Sequence, residues 1–223
     1  VNPNTVVCLV CGGMILIEDW AEKIPAVLYS WYAGMEGGNA LARILFGEAN
    51  PSGKLPFTIP TTPDHLPYFS PTDREITYDF YHGYTLLDKR GWQPAYPFGF
   101  GLSYTSYAYH DLQVAKVDQS LQVTVEVANT GPRDGEEIVQ VYIGMADSQV
   151  ERQVKLLKGF EKAPIPAGTT ADVTITIPLA ELRYYDPQTK SWRLEPGTYQ
   201  VLVGPSSDER TLLKTSIELT AEV

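Results

Sequence analysis

The hydrophobic rhythm of the chain changes near residue 107. Before that point apolar residues come in short continuous runs; after it they alternate with polar ones. Residues 5–11 (Thr-Val-Val-Cys-Leu-Val-Cys) and 25–31 (Pro-Ala-Val-Leu-Tyr-Ser-Trp) are nearly unbroken and rich in β-branched or aromatic side chains. Such runs predict strands buried on both faces, as in parallel sheets. Residues 20–23 read as a short helical or irregular connection. A glycine-rich turn, Gly34-Met-Glu-Gly-Gly38, opens into residues 39–46, where Ala40, Leu41, Ile44 and Leu45 share one helical face. Gly47 stands at the expected C-terminal cap. Strand, connection, strand, glycine turn and helix predict α/β layering. Two strands and one helix are too few to cover a parallel sheet, so this part is expected to be incomplete on its N-terminal side.

Asn50-Pro-Ser-Gly53 is a turn signal. Residues 55–96 are predicted irregular, with Pro56, Pro60, Pro63, Pro67 and Pro71 breaking any period, and with Tyr78, Phe80, Tyr81 and Tyr84 among them. A loop of that length is expected to be functional or to wrap another domain. From about Tyr107 the period is two. Leu121, Val123, Val125 and Val127 alternate with polar residues. So do Val139, Val141 and Ile143; Val173, Ile175 and Ile177; and Tyr199, Val201 and Val203. Asn129-Thr-Gly131, Pro166-Ala-Gly168 and Glu195-Pro-Gly197 punctuate them. About seven short strands at this spacing predict a β-sandwich of immunoglobulin or fibronectin type III architecture. The cysteine and tryptophan pattern of antibody domains is missing, which favours the fibronectin-like form. The expected fold class is therefore an incomplete α/β sandwich domain over residues 1–103, with a long loop at 55–96, followed by an all-β sandwich over residues 104–223.

The 223 residues have room for two modest domains. A net charge of −10 with no cluster of Lys or Arg argues against a nucleic-acid partner. No run of eighteen apolar residues predicts a membrane-spanning helix. Cys8 and Cys11 form a C-x-x-C pair, but they lie in a strand-like run with no second pair for a metal, so both are expected to be buried structural thiols, and no metal or cofactor is expected.

The Gly34–Gly38 turn is the sharpest local feature of the first part. It fits neither G-x-G-x-x-G nor a Walker loop. Its bland role is a tight turn and close helix packing. Its functional role would be a loop at the carboxyl end of a strand, where open α/β sheets present ligand sites. Trp31, Tyr32 and Glu36 would then face a ligand, and the aromatic pair would suit the apolar C–H face of a sugar ring. Retaining glycoside cleavage needs two carboxylates about 5–5.5 Å apart. The neighbouring pairs Glu18-Asp19 and Glu136-Glu137 are expected to be solvated, and Glu36 alone is not a mechanism. His65, His82 and His110 are scattered. His82 near Asp79 suggests a dyad, but without a nucleophile a structural histidine is the better reading.

Several segments together resemble glycoside hydrolase family 3. The most specific is Ala33-Gly-Met-Glu-Gly-Gly-Asn-Ala-Leu-Ala-Arg-Ile-Leu-Phe-Gly-Glu-Ala-Asn-Pro-Ser-Gly-Lys-Leu-Pro-Phe-Thr58, which is similar to that family's C-terminal α/β domain. Pro97-Phe-Gly-Phe-Gly-Leu-Ser-Tyr-Thr105 resembles its passage into a fibronectin-like domain. Within that domain the resemblance continues through Asn129-Thr-Gly131, Glu137-Ile-Val-Gln-Val-Tyr142, Leu157-Lys-Gly-Phe160 and Gly197-Thr-Tyr-Gln-Val-Leu-Val-Gly204. One departure is Tyr78-Asp-Phe-Tyr-His-Gly-Tyr84, where the family often carries a Glu-Gly pair shortly before its Gly-Tyr.

The resemblance implies a retaining β-glycosidase, β-glucosidase-like, that acts on an oligosaccharide or glycoside. It also implies a TIM-like barrel and the remaining α/β portion of the same enzyme as partners, on the same chain or a separate one. The aspartate nucleophile would lie on the barrel and the glutamate acid/base upstream of residues 5–11, so no catalytic residue is expected within this chain. Alternatives are β-xylosidase or α-L-arabinofuranosidase specificity, or a non-enzymatic carbohydrate-binding or adhesion module built on the sandwich.

Overall fold

The structure, a computed structural model, describes residues 2–220. The chain forms two compact units. One runs to residue 98 but omits residues 52–54; the other takes 52–54 and everything from residue 99 onward.

In the first unit, β1 (Val6–Leu9) and β2 (Ala26–Tyr29) pair in parallel, with Val6 opposite Ala26 and Leu9 opposite Tyr29. The connection between them holds α1 (Glu18–Ala21), a single turn that starts before the predicted 20–23. Ile17 and Ala21 pack with Ile59, and Leu9, Leu16, Trp20, Phe57 and Tyr96 close over them. The helix α2 (Gly37–Leu45) ends where predicted: Gly47 has φ 75° and donates its N–H to the Ile44 carbonyl at 2.9 Å. Glycine takes this left-handed conformation without steric cost.

Burial departs from expectation. The two strands are not buried on both faces: Val6 and Ala26 are exposed and their neighbours only half-buried. Cys8 and Cys11 are half-buried rather than buried. The physical reason is cover. Among the described residues this sheet has two strands, and α2 buries none of its own side chains, leaving Leu45 and Phe46 exposed.

Residues 55–96 are also more regular than predicted. They contain β3 (Ile59–Pro60), α3 (Gly83–Arg90) and β4 (Pro94–Tyr96), with β3 and β4 antiparallel. The helix signals were local ones that a search for long periods passes over. The Thr85 hydroxyl accepts from the His82 N–H at 3.2 Å and donates to its carbonyl at 2.8 Å. Gly91, at φ 66°, terminates the helix. Thr85, Leu86 and Leu87 are buried.

The second unit is a two-layer sandwich. Its first sheet holds β5 (Tyr107–Val117), β6 (Ser120–Asn129) and β9 (Thr170–Pro178), in the order β5-β6-β9. Its second holds β7 (Gly135–Gly144), β8 (Leu156–Ile165), β12 (Gly197–Gly204) and β13 (Leu213–Leu219), in the order β13-β12-β7-β8. A short hairpin, β10 (Tyr184–Asp186) with β11 (Ser191–Arg193), projects between β9 and β12 in sequence.

The alternating residues meet as the period requires. Leu121 lies opposite Ile177, Val123 opposite Ile175 and Val125 opposite Val173, all buried in one core with Val139, Val141, Tyr199 and Val201. Each such side chain contributes roughly 1.5–3 kcal/mol on burial. The polar alternates stay outside, where the Thr124 and Thr174 hydroxyls bond across the sheet at 2.9 Å.

Candidate functional site

The loop leaving β2 is where sequence reasoning put its site residues. Trp31 has φ 55°, a left-handed conformation that costs a bulky side chain of order 1–3 kcal/mol. Packing holds it there. The Trp31 ring lies 4.9 Å from Tyr29 and 5.5 Å from Phe57, and Tyr29 and Phe57 are themselves 5.5 Å apart in an edge-on contact. These three rings form a closed triangle at the carboxyl end of β2.

The Tyr29 hydroxyl is anchored as well. It donates to the Gly13 carbonyl and lies 3.2 Å from the Cys11 thiol. Burial, then the Cys11 thiol, push its pKa up to about 12, so it stays a neutral donor at ordinary pH. Cys8 is tied to Ser30 at 3.2 Å, and the Ser30 hydroxyl donates to the Leu9 carbonyl at the same distance. The two cysteines thus address successive residues at one strand end. Among the described residues no group of three or more His, Cys, Asp or Glu side chains converges on a metal position.

Tyr32 is 75% exposed, and its ring rests against Gly12. Its ring edge lies where a Cβ on Gly12 would fall, 2.8 Å from that atom. Only glycine at position 12 lets the phenol lie against the backbone. Glu36 is exposed at the N-terminus of α2 and accepts from Asn39 Nδ2 at 2.6 Å. The structure therefore packs Trp31 against Phe57 and makes room for Tyr32 at Gly12, two residues the sequence reading did not single out. Glu36 is held separately, by its own helix.

The other sequence candidates resolve differently. Glu137, expected to be solvated, is 3% exposed. Its carboxylate accepts from Lys54 Nζ at 3.0 and 3.2 Å and from the Tyr109 hydroxyl at 2.8 Å. Sequence adjacency to Glu136 hid this, because alternate residues of β7 face opposite sides of its sheet. Glu136 itself does face solvent and pairs with Lys162 at 2.5 Å. Glu18 is only half-exposed, with Oε1 buried and making no hydrogen bond; Asp19 is exposed. His82 and Asp79 do not pair: Asp79 accepts from the Tyr81 N–H at 2.8 Å, and the His82 side chain is exposed. His65 stacks on Trp92 at 4.1 Å.

Asn129, read only as part of a turn, is a buried structural anchor. It accepts from Thr105 Oγ1 at 2.6 Å and from the Gly131 N–H at 3.2 Å, and it donates to the carbonyls of Arg133 and Ile165 at 2.8 Å each.

Comparison with known proteins agrees with this architecture. Residues 1–104 match the glycosyl hydrolase family 3 C-terminal domain, and residues 137–207 match the fibronectin type III-like domain. The thermostable beta-glucosidase B of Acetivibrio thermocellus is 39% identical over 232 aligned residues, which cover 100% of this chain and 30% of that protein. Among solved structures, DesR, a beta-glucosidase from Streptomyces venezuelae in complex with D-glucose, superposes with a TM-score of 0.90 at 33% identity, covering 98% of this chain and 29% of that one. The beta-glucosidase of Kluyveromyces marxianus in complex with glucose gives 0.89 at 36% identity, covering 98% and 27%. The chain thus spans about 30% of the length of the first of these relatives. With both domain types matched in order along one chain, the protein belongs to glycosyl hydrolase family 3, of which it carries the C-terminal α/β domain and the fibronectin type III-like domain.

Proposed function

We propose that this chain supplies the C-terminal scaffold and one wall of the sugar site of a retaining β-glycosidase, of β-glucosidase type, that releases terminal, non-reducing β-D-glycosyl residues. The domains are taken as residues 1–103 and 104–223. The carrying observation is the end-to-end likeness to proteins described as beta-glucosidases, at 33–39% identity in those compared. The chemistry of the chain is consistent with a supporting role. Retaining cleavage needs an acid/base and a nucleophile flanking one bond, and Glu137 is consumed by a structural ion pair while Glu36 is held by Asn39. The family resemblance, rather than these two residues alone, assigns both catalytic carboxylates to the barrel and the remaining α/β portion of the enzyme.

The wall is residues 31–38. Trp31, kept in its strained conformation by Tyr29 and Phe57, offers rigid aromatic surface, and Tyr32, laid on Gly12, offers an exposed ring next to it in sequence. Glu36 offers a hydrogen-bond acceptor beside them. In the complete enzyme, Tyr32→Ala is expected to raise KM for an aryl β-glucoside several-fold with a smaller change in kcat. The isolated chain is expected to be inactive. Turnover by the purified chain that disappears in Glu36→Gln would overturn the assignment. A panel of chromogenic glycosides on the complete enzyme separates β-glucosidase from β-xylosidase or α-L-arabinofuranosidase specificity.

A further inference from the structure

The hairpin β10–β11 carries a feature that neither the core nor the proposed sugar site uses. Tyr185 and Trp192 are cross-strand partners, so their side chains leave the same face of the ribbon. Their ring centroids are 5.7 Å apart with planes inclined by 68°, and they are 49% and 64% exposed. The opposite face turns to the body of the sandwich. There the Tyr184 ring receives the Arg152 guanidinium at 5.4 Å, and Arg152 in turn binds Glu195 at 3.2 Å.

The ribbon is preorganised rather than loose. Asp186 accepts from the backbone N–H groups of Gln188 and Thr189 at 2.9 and 3.4 Å and from Arg193 Nη1 at 3.1 Å. Thr189 and Ser191 bond to each other at 2.9 Å across the tip. A two-residue aromatic corner is thereby held open to solvent on a braced support, at a cost in exposed apolar area that core packing does not repay.

We infer that the Tyr185–Trp192 corner is an accessory binding platform for a neutral sugar chain, separate from residues 31–38. Size decides between the possible occupants. The aromatic corner is an island on the hairpin, bounded at the tip by the exposed polar residues Gln188, Thr189 and Lys190. A protein partner needs roughly 800 Å² per side, mostly apolar at its centre, which two rings do not provide. A pyranose needs one flat apolar surface for its C–H face and hydrogen-bonding groups around it. The indole of Trp192 with the inclined Tyr185 edge supplies the first, and the polar flank supplies the second. The choice of β-glucans as probes rests on the β-glucosidase reading; the platform itself does not.

The test is affinity electrophoresis of the full chain in gels containing soluble mixed-linkage β-glucan, repeated with laminarin, with titration by cellohexaose and laminarihexaose monitored through tryptophan fluorescence. Retardation in at least one glucan gel is expected. It should fall about tenfold or more in Trp192→Ala and by less in Tyr185→Ala, stay largely intact in Trp192→Phe, and be unchanged in Trp31→Ala. An unaltered melting temperature of Trp192→Ala shows that the loss is local. Absence of retardation in every glucan, equal retardation of Trp192→Ala, or loss on Trp31→Ala instead would overturn the inference. In the complete enzyme, Trp192→Ala should leave hydrolysis of small aryl β-glucosides unchanged. Failure of the platform therefore leaves the glycosidase reading standing, and failure of that activity leaves the platform standing.

Discussion

Lys54 is the most instructive residue to perturb. It lies in the three-residue stretch 52–54, which belongs to the sandwich although the sequence on either side of it belongs to the first unit. Its ammonium is buried against Glu137, with side chains 10% and 4% exposed, and it also reaches the Gly101 carbonyl at 3.4 Å. Lys54→Met keeps the apolar stem and removes the charge. Glu137 would then retain the Tyr109 hydroxyl as a donor. A buried carboxylate left without its cation costs about 3–5 kcal/mol. Protonation sets a ceiling on the charge component, because bringing a free glutamate from about 4.3 to pH 7 in neutral form costs about 3.7 kcal/mol. For a unit of roughly 130 residues, with about 2.1 cal/mol/K of unfolding entropy per residue, 3–4 kcal/mol lowers the melting temperature by about 11–15 °C.

The partner variant Glu137→Gln strands the ammonium instead and should cost a similar amount. The double variant Lys54→Met/Glu137→Gln removes both charges while the amide oxygen still accepts from Tyr109. It should recover at least half of the Lys54→Met loss. Hydrogen exchange of the β7 amides under increasing denaturant reads the sandwich alone. Strict additivity of the two single variants would refute the reasoning, because it would mean that the two charges do not sense each other.

Three further outcomes follow from the structure. Burial raises the pKa of Glu195, but the Gln149 N–H, Ser148 hydroxyl and Arg152 guanidinium outweigh it and hold the carboxyl below its ordinary value of 4.5. A depressed acid stabilises the fold above its unfolded pKa, so this contribution is present at neutral pH and lost as pH falls from about 4.5 through the lower folded value. Acid denaturation of Glu195→Gln should accordingly be shallower over that range than that of the parent chain, and equal slopes would contradict it. Gly12→Ala forces a methyl to within 2.8 Å of the Tyr32 ring, so the phenol must swing away; a changed Tyr32 resonance environment with little loss of stability is expected. Gly144→Ala is more severe, since its Cβ would collide with the Val154 carbonyl oxygen, a backbone atom with little room to move. A loss of several kcal/mol in denaturant melts is expected, with the damage seen first in exchange at β7 and β8.

The sandwich was legible in sequence because a period of two over nine or ten residues admits one burial pattern. Val123, Val125, Ile175 and Ile177 are buried where their alternation puts them. The Gly47 stop of α2 and the α/β character of the first part were legible for a similar reason, since cap and run are local signals. Burial of that first part was not legible. An apolar run such as residues 5–11 states that a strand can be covered, whereas the extent of cover depends on neighbours far away or outside the chain, and here Cys8 and Cys11 stay half-buried.

Ionic character was hidden altogether. Glu136 and Glu137 look alike in sequence, and only the pleat of β7, with Lys54 and Tyr109 brought in from elsewhere, makes one a surface charge and the other a buried ion. The same division holds at the candidate site. Sequence alone determined the residue types of the 31–38 loop and the family they belong to. Tertiary structure decided that Trp31 packs on Phe57 and that Tyr32 finds room against Gly12, because ring packing and a missing Cβ act across chain separations that no local pattern records.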